Sequence, residues 1–382
     1  MNMNEWSLPE TELFDRIRSS LDEDVDAVLV TVIDVEGSAY RRPGAKMLIR
    51  PDGGAGSITA GCLEDEVKDL ATDVLDAGTA RVETWDLTGD DDVWGMGVGC
   101  NGVITVLLEP LTDDYTPVVD ARNRGDPVAV ATVVDGDLPI ATRGYYAAGE
   151  FDGDLPIWVC EEIRQATERL LADGGSDLLT VSRGSDGDAT GTEEASVDVF
   201  VNGIRPPPEV VVFGSGHDVR PVVELATLVD FRVTVVAFRG GHIDDDRLAG
   251  ADEVISASPH EVADLREWDG DTYAVVMTHN FVDDRITIDV LLETPVPYLG
   301  LMGPRKRFAE MREAFAAEGR TFTDAELERI YTPIGVNLGG DSPYQIAYSI
   351  VAELLAVAND RDPCHLTDRA GPIHDRVEGE SS

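Results

Sequence analysis

Two of the four cysteines in this chain stand where a thiol could bind a metal or react. Cys62 lies in Gly56-Ser57-Ile58-Thr59-Ala60-Gly61-Cys62-Leu63-Glu64. The series Leu63, Val67, Leu70, Ala71, Val74 and Leu75 follows at three- and four-residue spacing, which predicts a helix with Cys62 in its first turn. A helix amino terminus favours thiolate, the form that ligates soft metals. Cys100 lies in Gly95-Met96-Gly97-Val98-Gly99-Cys100-Asn101-Gly102, directly before an apolar strand run. Cys62 and Cys100 are therefore the candidate metal ligands, although each is equally readable as a small buried hydrophobe. A zinc site is not expected, because the chain has no CxxC pair and no histidine between the two cysteines.

A second set of candidates is cationic. Arg41, Arg42 and Lys46 cluster within residues 37–47 of a chain whose only lysines are Lys46, Lys68 and Lys306. Such a cluster either recognises an anionic group, through Arg42 and Lys46 in particular, or pairs with neighbouring carboxylates. In the other half, the strand-like run 210–213 leads into Gly214-Ser215-Gly216-His217 and then a helical stretch. Glycines there permit a tight turn and let phosphates approach backbone N–H groups at a helix start, so Gly214, Gly216 and His217 point to a nucleotide-type ligand. Val219 takes the third-glycine slot, and the next strand ends Val236-Ala237-Phe238-Arg239 without a carboxylate for a ribose. The glycine pair can alternatively serve only helix-on-sheet packing. His279, after the strand run 273–277, falls like His217 on a loop at the carboxyl end of a parallel strand, where ligands bind in such sheets. No triad or paired-carboxylate arrangement demands catalysis, and binding without turnover is expected. The alternative is an NAD(P)-dependent oxidoreductase with Arg239 on a 2′-phosphate.

The elements that must position these residues separate into two kinds. Up to residue 185, a helix at 11–21, the helix at 63–75 and strand runs at 27–35, 46–50, 81–87, 102–109 and 127–134 predict an α+β domain. The Gly-, Ser- and Asp-rich composition from 174 to 196, followed by Pro206-Pro207-Pro208, places a linker at 186–208. From 209 to 358, strands at 210–213, 233–238, 253–255, 273–277 and 298–302 alternate with helices and predict a Rossmann-like, doubly wound parallel sheet. Ser342 and Pro343 mark the start of its last helix, to about Val357, and residues 359–382 read as a mobile tail. No internal repeat is visible.

The solvent and partners are bounded by charge. Thirty Lys+Arg against 74 Asp+Glu give a net charge of −44 and a pI near 4.2. Nonspecific nucleic-acid binding and adhesion to anionic membranes are excluded on that ground. Molar salt, where the Debye length is about 3 Å, would screen the self-repulsion, so a halophilic cytoplasm is expected. The amino terminus has no basic and apolar leader pattern, no stretch reads as a membrane span, and four dispersed cysteines suit a reducing, cytoplasmic location.

In order along both halves, the chain resembles the XdhC/CoxI family of molybdenum hydroxylase accessory proteins. The resemblance is carried by Gly37-Ser38 with Arg42-Pro43-Gly44-Ala45-Lys46-Met47, Gly61-Cys62-Leu63-Glu64, Gly97-Val98-Gly99-Cys100-Asn101-Gly102, Gly214-Ser215-Gly216-His217, Thr278-His279, residues 298–305, and Pro333-Ile334-Gly335 to Glu353. It implies a cytoplasmic chaperone, with a Rossmann-like second domain, that binds the molybdenum cofactor (molybdopterin or its dinucleotide form). Such a chaperone assists sulfuration with a partner cysteine desulfurase and delivers the cofactor to an apo molybdenum hydroxylase of the xanthine or carbon monoxide dehydrogenase type. On that reading Cys62 and Cys100 face the cofactor, Gly214, Gly216 and His217 its phosphate side. A homodimer is the expected assembly.

Overall fold

Apolar, β-branched runs become strands and the amphipathic stretches helices in a computed structural model that describes residues 6–87, 101–183, 195–238, 248 and 250–368. The chain divides into two units, Met1–Pro206 and Pro207–Ser382. In the first, α1 (Glu10–Asp22) precedes β1 (Val28–Ser38), β2 (Lys46–Arg50), β3 (Gly53–Gly56), α2 (Glu64–Ala77), β4 (Arg81–Asp86) and β5 (Asn101–Pro110). A 3-10 turn then runs into α3 (Thr116–Arg124), followed by β6 (Val128–Gly136), β7 (Arg143–Ala147), β8 (Glu150–Gly153), α4 (Ile157–Asp173), β9 (Ser176–Ser182) and β10 (Ser196–Ile204). The strands form two antiparallel sheets, ordered β3-β2-β1-β5-β4 and β8-β7-β6-β10-β9.

Those two orders are the same topology repeated, which corrects the expectation that the chain has no internal repeat. The register matches residue by residue: Thr31 faces Lys46 and Leu107, while Thr132 faces Arg143 and Phe200. A bulge falls at Ile33 in the first sheet and at Val134 in the second. A Cβ on Gly56 would lie 2.8 Å from the Lys46 carbonyl, and one on Gly153 would lie 2.8 Å from the Arg143 carbonyl. Left-handed Gly78 and Gly174 end α2 and α4. The turn before β2 and the turn before β7 share three backbone hydrogen bonds, among them Gly44 N–H to Val32 O and Ala141 N–H to Val133 O.

Each repeat buries one sheet face under its own long helix: Val67, Ala71 and Val74 of α2 on the first, Val159, Ile163 and Leu170 of α4 on the second. Between the sheets Ile33 and Leu107 meet their counterparts Val134 and Phe200. A separate core joins Phe14 and Ile17 of α1 to Tyr115 and Val118 of the second repeat. Each large side chain removed from water in this way contributes about 1.5–3 kcal/mol.

One boundary differs from expectation. Residues 186–208 do not form a linker throughout, because Ser196–Ile204 is β10, an interior strand with Val197, Val199 and Val201 buried. The Ser-, Gly- and Asp-rich stretch instead connects two paired strands, and the units divide within Pro206-Pro207-Pro208.

The second unit bears out the doubly wound sheet. β11 (Glu209–Phe213), β12 (Arg232–Phe238), β13 (Glu253–Ala257), β14 (Thr272–Val276), β15 (Tyr298–Leu301) and β16 (Ile330–Tyr331) are ordered β13-β12-β11-β14-β15-β16, every pairing parallel. Val210 and Val212 bury against α5 (Val219–Thr227) and α9 (Pro343–Ala358), and Val211 and Phe213 against α6 (Phe281–Leu292) and α7 (Arg305–Ala317), with the short α8 (Asp324–Glu328) directly ahead of β16. Ser342 and Gln345 close a capping box on α9, as the serine and proline there predict. The two-residue β16 was not expected, since two residues make no readable run. Among the described residues no helix is long and apolar enough to cross a membrane.

Candidate functional site

Cys62 is held by a clamp built from two residues that sequence reasoning passed over, Thr59 and Glu64. Thr59 Oγ1 donates to Glu64 Oε2 at 2.6 Å and accepts from the N–H groups of Gly61, Cys62 and Leu63 at 3.3, 3.2 and 3.4 Å. The Glu64 carboxylate, itself buried, also accepts from Thr59 N–H and Leu63 N–H at 3.1 Å each. Three consecutive backbone donors thus converge on one hydroxyl, which fixes the loop. Cys62 is half-buried against the core beneath α2. The helix begins only at Glu64, so Cys62 precedes its N-cap, Leu63, rather than lying in the first turn. The spacing of a threonine and a glutamate around a helix start is the signal that could have revealed the clamp.

Of the cationic candidates, Lys46 is the most enclosed. It is buried, and its Nζ donates to Asn202 Oδ1 at 2.6 Å and to Gly44 O at 2.9 Å. Burial lowers its pKa to about 8. The cause is register: opposite Thr31 the β2 side chain points between the two repeats. The equivalent Arg143 is likewise buried and paired with Glu109 of the first repeat. Arg42 is half-buried in the turn ahead of β2. That turn is gripped by the second repeat, since Ser176 Oγ donates to Pro43 O at 2.7 Å and a Cβ on Gly44 would meet Asn202 Nδ2 at 3.0 Å. Cys100 and Arg239 lie outside the described residues.

In the second unit, the loops after β11 and β14 meet where the strand order reverses. Gly214 is buried, and a Cβ there would lie 2.7 Å from Met277 O. Ser215 and His217 are exposed along the loop. His279, with a left-handed φ of 59°, places Nε2 2.7 Å from Asp218 Oδ2 across the two loops. A Cβ on Gly216 would fall 2.4 Å from Asp218 Oδ1, so the second glycine makes room for the carboxylate that holds His279. Asp218 was not among the sequence candidates. Behind His279, Asp284 is buried, accepts from Thr278 N–H and Oγ1, and pairs with Arg307.

The donor set fits a pterin-type molybdenum cofactor in part. In the first unit Cys62 offers one soft sulfur on a half-buried residue, and in the second Gly214 and Gly216 leave two positions of the turn before α5 without side chains. Among the described residues no group of three or more His, Cys, Asp or Glu side chains could hold a metal ion by itself.

Family models match in both units: "XdhC and CoxI family" over residues 20–86 and "XdhC Rossmann domain" over 210–354. The chain is similar to a probable xanthine dehydrogenase subunit from Bacillus subtilis (27% identity, covering 88% of this chain and 94% of that protein). It is also similar to the molybdenum cofactor insertion chaperone PaoD of Escherichia coli (22%, covering 88% and 86%). Among solved structures, a crystal structure described as a xanthine dehydrogenase from Bacillus halodurans matches with a TM-score of 0.74 at 27% identity, covering 93% of this chain and 97% of that one. The first family match contains the Cys62 loop and the cationic turn, the second the Gly214 loop and His279, and by these matches the chain belongs to the XdhC/CoxI family.

Proposed function

We propose that this protein binds the molybdenum cofactor and inserts it into an apo molybdenum hydroxylase of the xanthine dehydrogenase type. The observation that carries the reading is the Cys62 loop: a half-buried cysteine in a loop whose three consecutive backbone N–H groups are held by the Thr59 hydroxyl and the buried Glu64 carboxylate. A structural cysteine needs no such clamp, whereas a ligand that must present one sulfur to a metal does. The turn at Gly214 and Gly216, with His217 and His279, would take the phosphate side of the cofactor, and Cys100 would supply a second sulfur. Membership of a maturation-factor family and similarity to PaoD support the same role. Sulfur supply by a cysteine desulfurase, a homodimeric state and a cytoplasmic, high-salt setting complete the proposal.

The test is cofactor binding by the purified chain, followed by ultraviolet-visible absorbance and by reconstitution of an apo-hydroxylase. Cys62→Ser should reduce cofactor retention about tenfold or more while leaving the circular dichroism spectrum unchanged. Equal retention by wild type and Cys62→Ser would sink the thiol assignment. A second reading, an NAD(P)-dependent oxidoreductase, draws on the strand order of the second unit, which is that of dinucleotide-binding domains. A thermal shift with NADP⁺ as large as that with molybdopterin would favour it.

A further inference from the structure

The two repeats differ most in what covers the outer hairpin. Counting from Thr31 and Thr132, Phe14 is equivalent to Tyr115 and Ile17 to Val118, all buried in one core. Leu13 is then equivalent to Asp114. In the first repeat α1 begins at Glu10, and Leu13, buried with Phe14 and Ile17, seals Leu48 and Ala55 of the β2–β3 hairpin. In the second repeat the helix begins only at Thr116, behind a 3-10 turn. The equivalents of Leu48 and Ala55 are Tyr145, half-buried, and Asp152, exposed. Between α3 and the β7–β8 hairpin there remains an open groove of about 1040 Å³.

Its floor is apolar, formed by Leu21, Pro117, Ala121, Val128 and Ala147 beside the Tyr145 ring. Its rim carries Asp113, Asp120, Glu150 and Asp152, none of which forms an ion pair among the described residues. The one guanidinium in the lining, Arg124, is held by Asp126 at 2.8 Å. The first repeat displays what fills such a space, a helical turn presenting a leucine. We propose that this groove docks a helical segment of a partner protein that presents a leucine or similar aliphatic anchor flanked by lysines or arginines. The apolar floor takes the anchor, and the unpaired carboxylates select the basic flanks. A second copy of this chain is the poorer occupant, because its charge of −44 would oppose the rim.

The experiment uses the full chain and a fluorescein-labelled helical peptide with leucines at i and i+4 and lysines on both flanks, followed by anisotropy at low salt. Wild type should bind it. The variant Asp120→Lys/Glu150→Lys/Asp152→Lys should bind about tenfold more weakly or worse, while Asp69→Lys/Asp73→Lys/Asp76→Lys, with the same charge change on α2, should differ from wild type by less than about twofold. A peptide with both leucines replaced by alanine should lose about tenfold or more. Ala147→Trp, which fills the floor without altering charge, should weaken binding as well, and it keeps the test decisive if the triple variant misfolds. The proposal is overturned if the two charge variants weaken binding equally, if the alanine peptide binds as tightly as the leucine one, if Ala147→Trp is without effect, or if the groove variant instead abolishes self-association of the chain.

Discussion

At the first residue of the strand after the same turn each repeat buries a cation, and the two cations are compensated differently. Arg143 of the second repeat reaches back to a carboxylate, Glu109 of the first. Lys46 of the first reaches forward to a neutral amide, Asn202, which stands on β10 where Glu109 stands on β5. Burial penalises both charges, yet the Lys46 pKa falls to about 8 while Glu109 holds Arg143 above its ordinary value. Duplicated geometry thus fixes where a charge sits, and the facing residue decides whether it persists. The two pairs also cross-brace the repeats.

The largest effect should follow from breaking the ionised pair. Glu109→Ala leaves a guanidinium that cannot shed its proton buried without a counter-charge, and about 3–5 kcal/mol of stability should be lost in urea denaturation. Asn202→Ala should cost less, about 1–3 kcal/mol, because Lys46 can discharge. Equal losses would mean that the crossed pairs are not energetically distinct.

Next comes the pH dependence that the uncompensated lysine imposes. In the unfolded chain Lys46 keeps its proton to about pH 10.5, whereas in the folded chain it releases it near 8. Between those values the unfolded state binds more protons, so stability should rise with pH, by up to about 3 kcal/mol across the window. Measured as the difference between wild type and Lys46→Met, the rise should be present; in Asn202→Asp, where a carboxylate faces the lysine, it should flatten. A flat difference in wild type would refute the lowered pKa.

Much of the second unit was legible because parallel strands buried on both faces read as continuous apolar runs, and the glycine turn between β11 and α5 punctuates them. The Asp218–His279 contact was not legible, since it joins residues 61 positions apart that only the strand order brings together. The repeat was hidden for a different reason. Spacing between equivalent residues drifts from 101 (Thr31 to Thr132) to 97 (Lys46 to Arg143) and 93 (Glu109 to Asn202), and most positions keep only their burial, so no fixed period survives in the sequence. Sequence spacing likewise could not tell that Lys46 points inward, because that depends on which face of β2 meets a sheet not yet recognised as its partner.

The smallest effect contrasts the two turns themselves. Gly44 and Ala141 are equivalent, with φ of 97° and 69°. In the second repeat an alanine tolerates the left-handed conformation, at about 1 kcal/mol relative to glycine. In the first, the same Cβ would also press on Asn202 Nδ2 at 3.0 Å, the group whose neighbouring oxygen accepts from Lys46. Gly44→Ala should therefore cost about 2 kcal/mol and disturb the turn carrying Arg41 and Arg42, whereas Ala141→Gly should change stability by less than about 1 kcal/mol. Adding Asn202→Ala to Gly44→Ala should recover part of the loss in a double-mutant cycle, because it removes the atom that crowds the new methyl. Strict additivity would show that the cost of Gly44→Ala is backbone strain alone, and that the second repeat grips the cationic turn through Ser176 without help from Asn202.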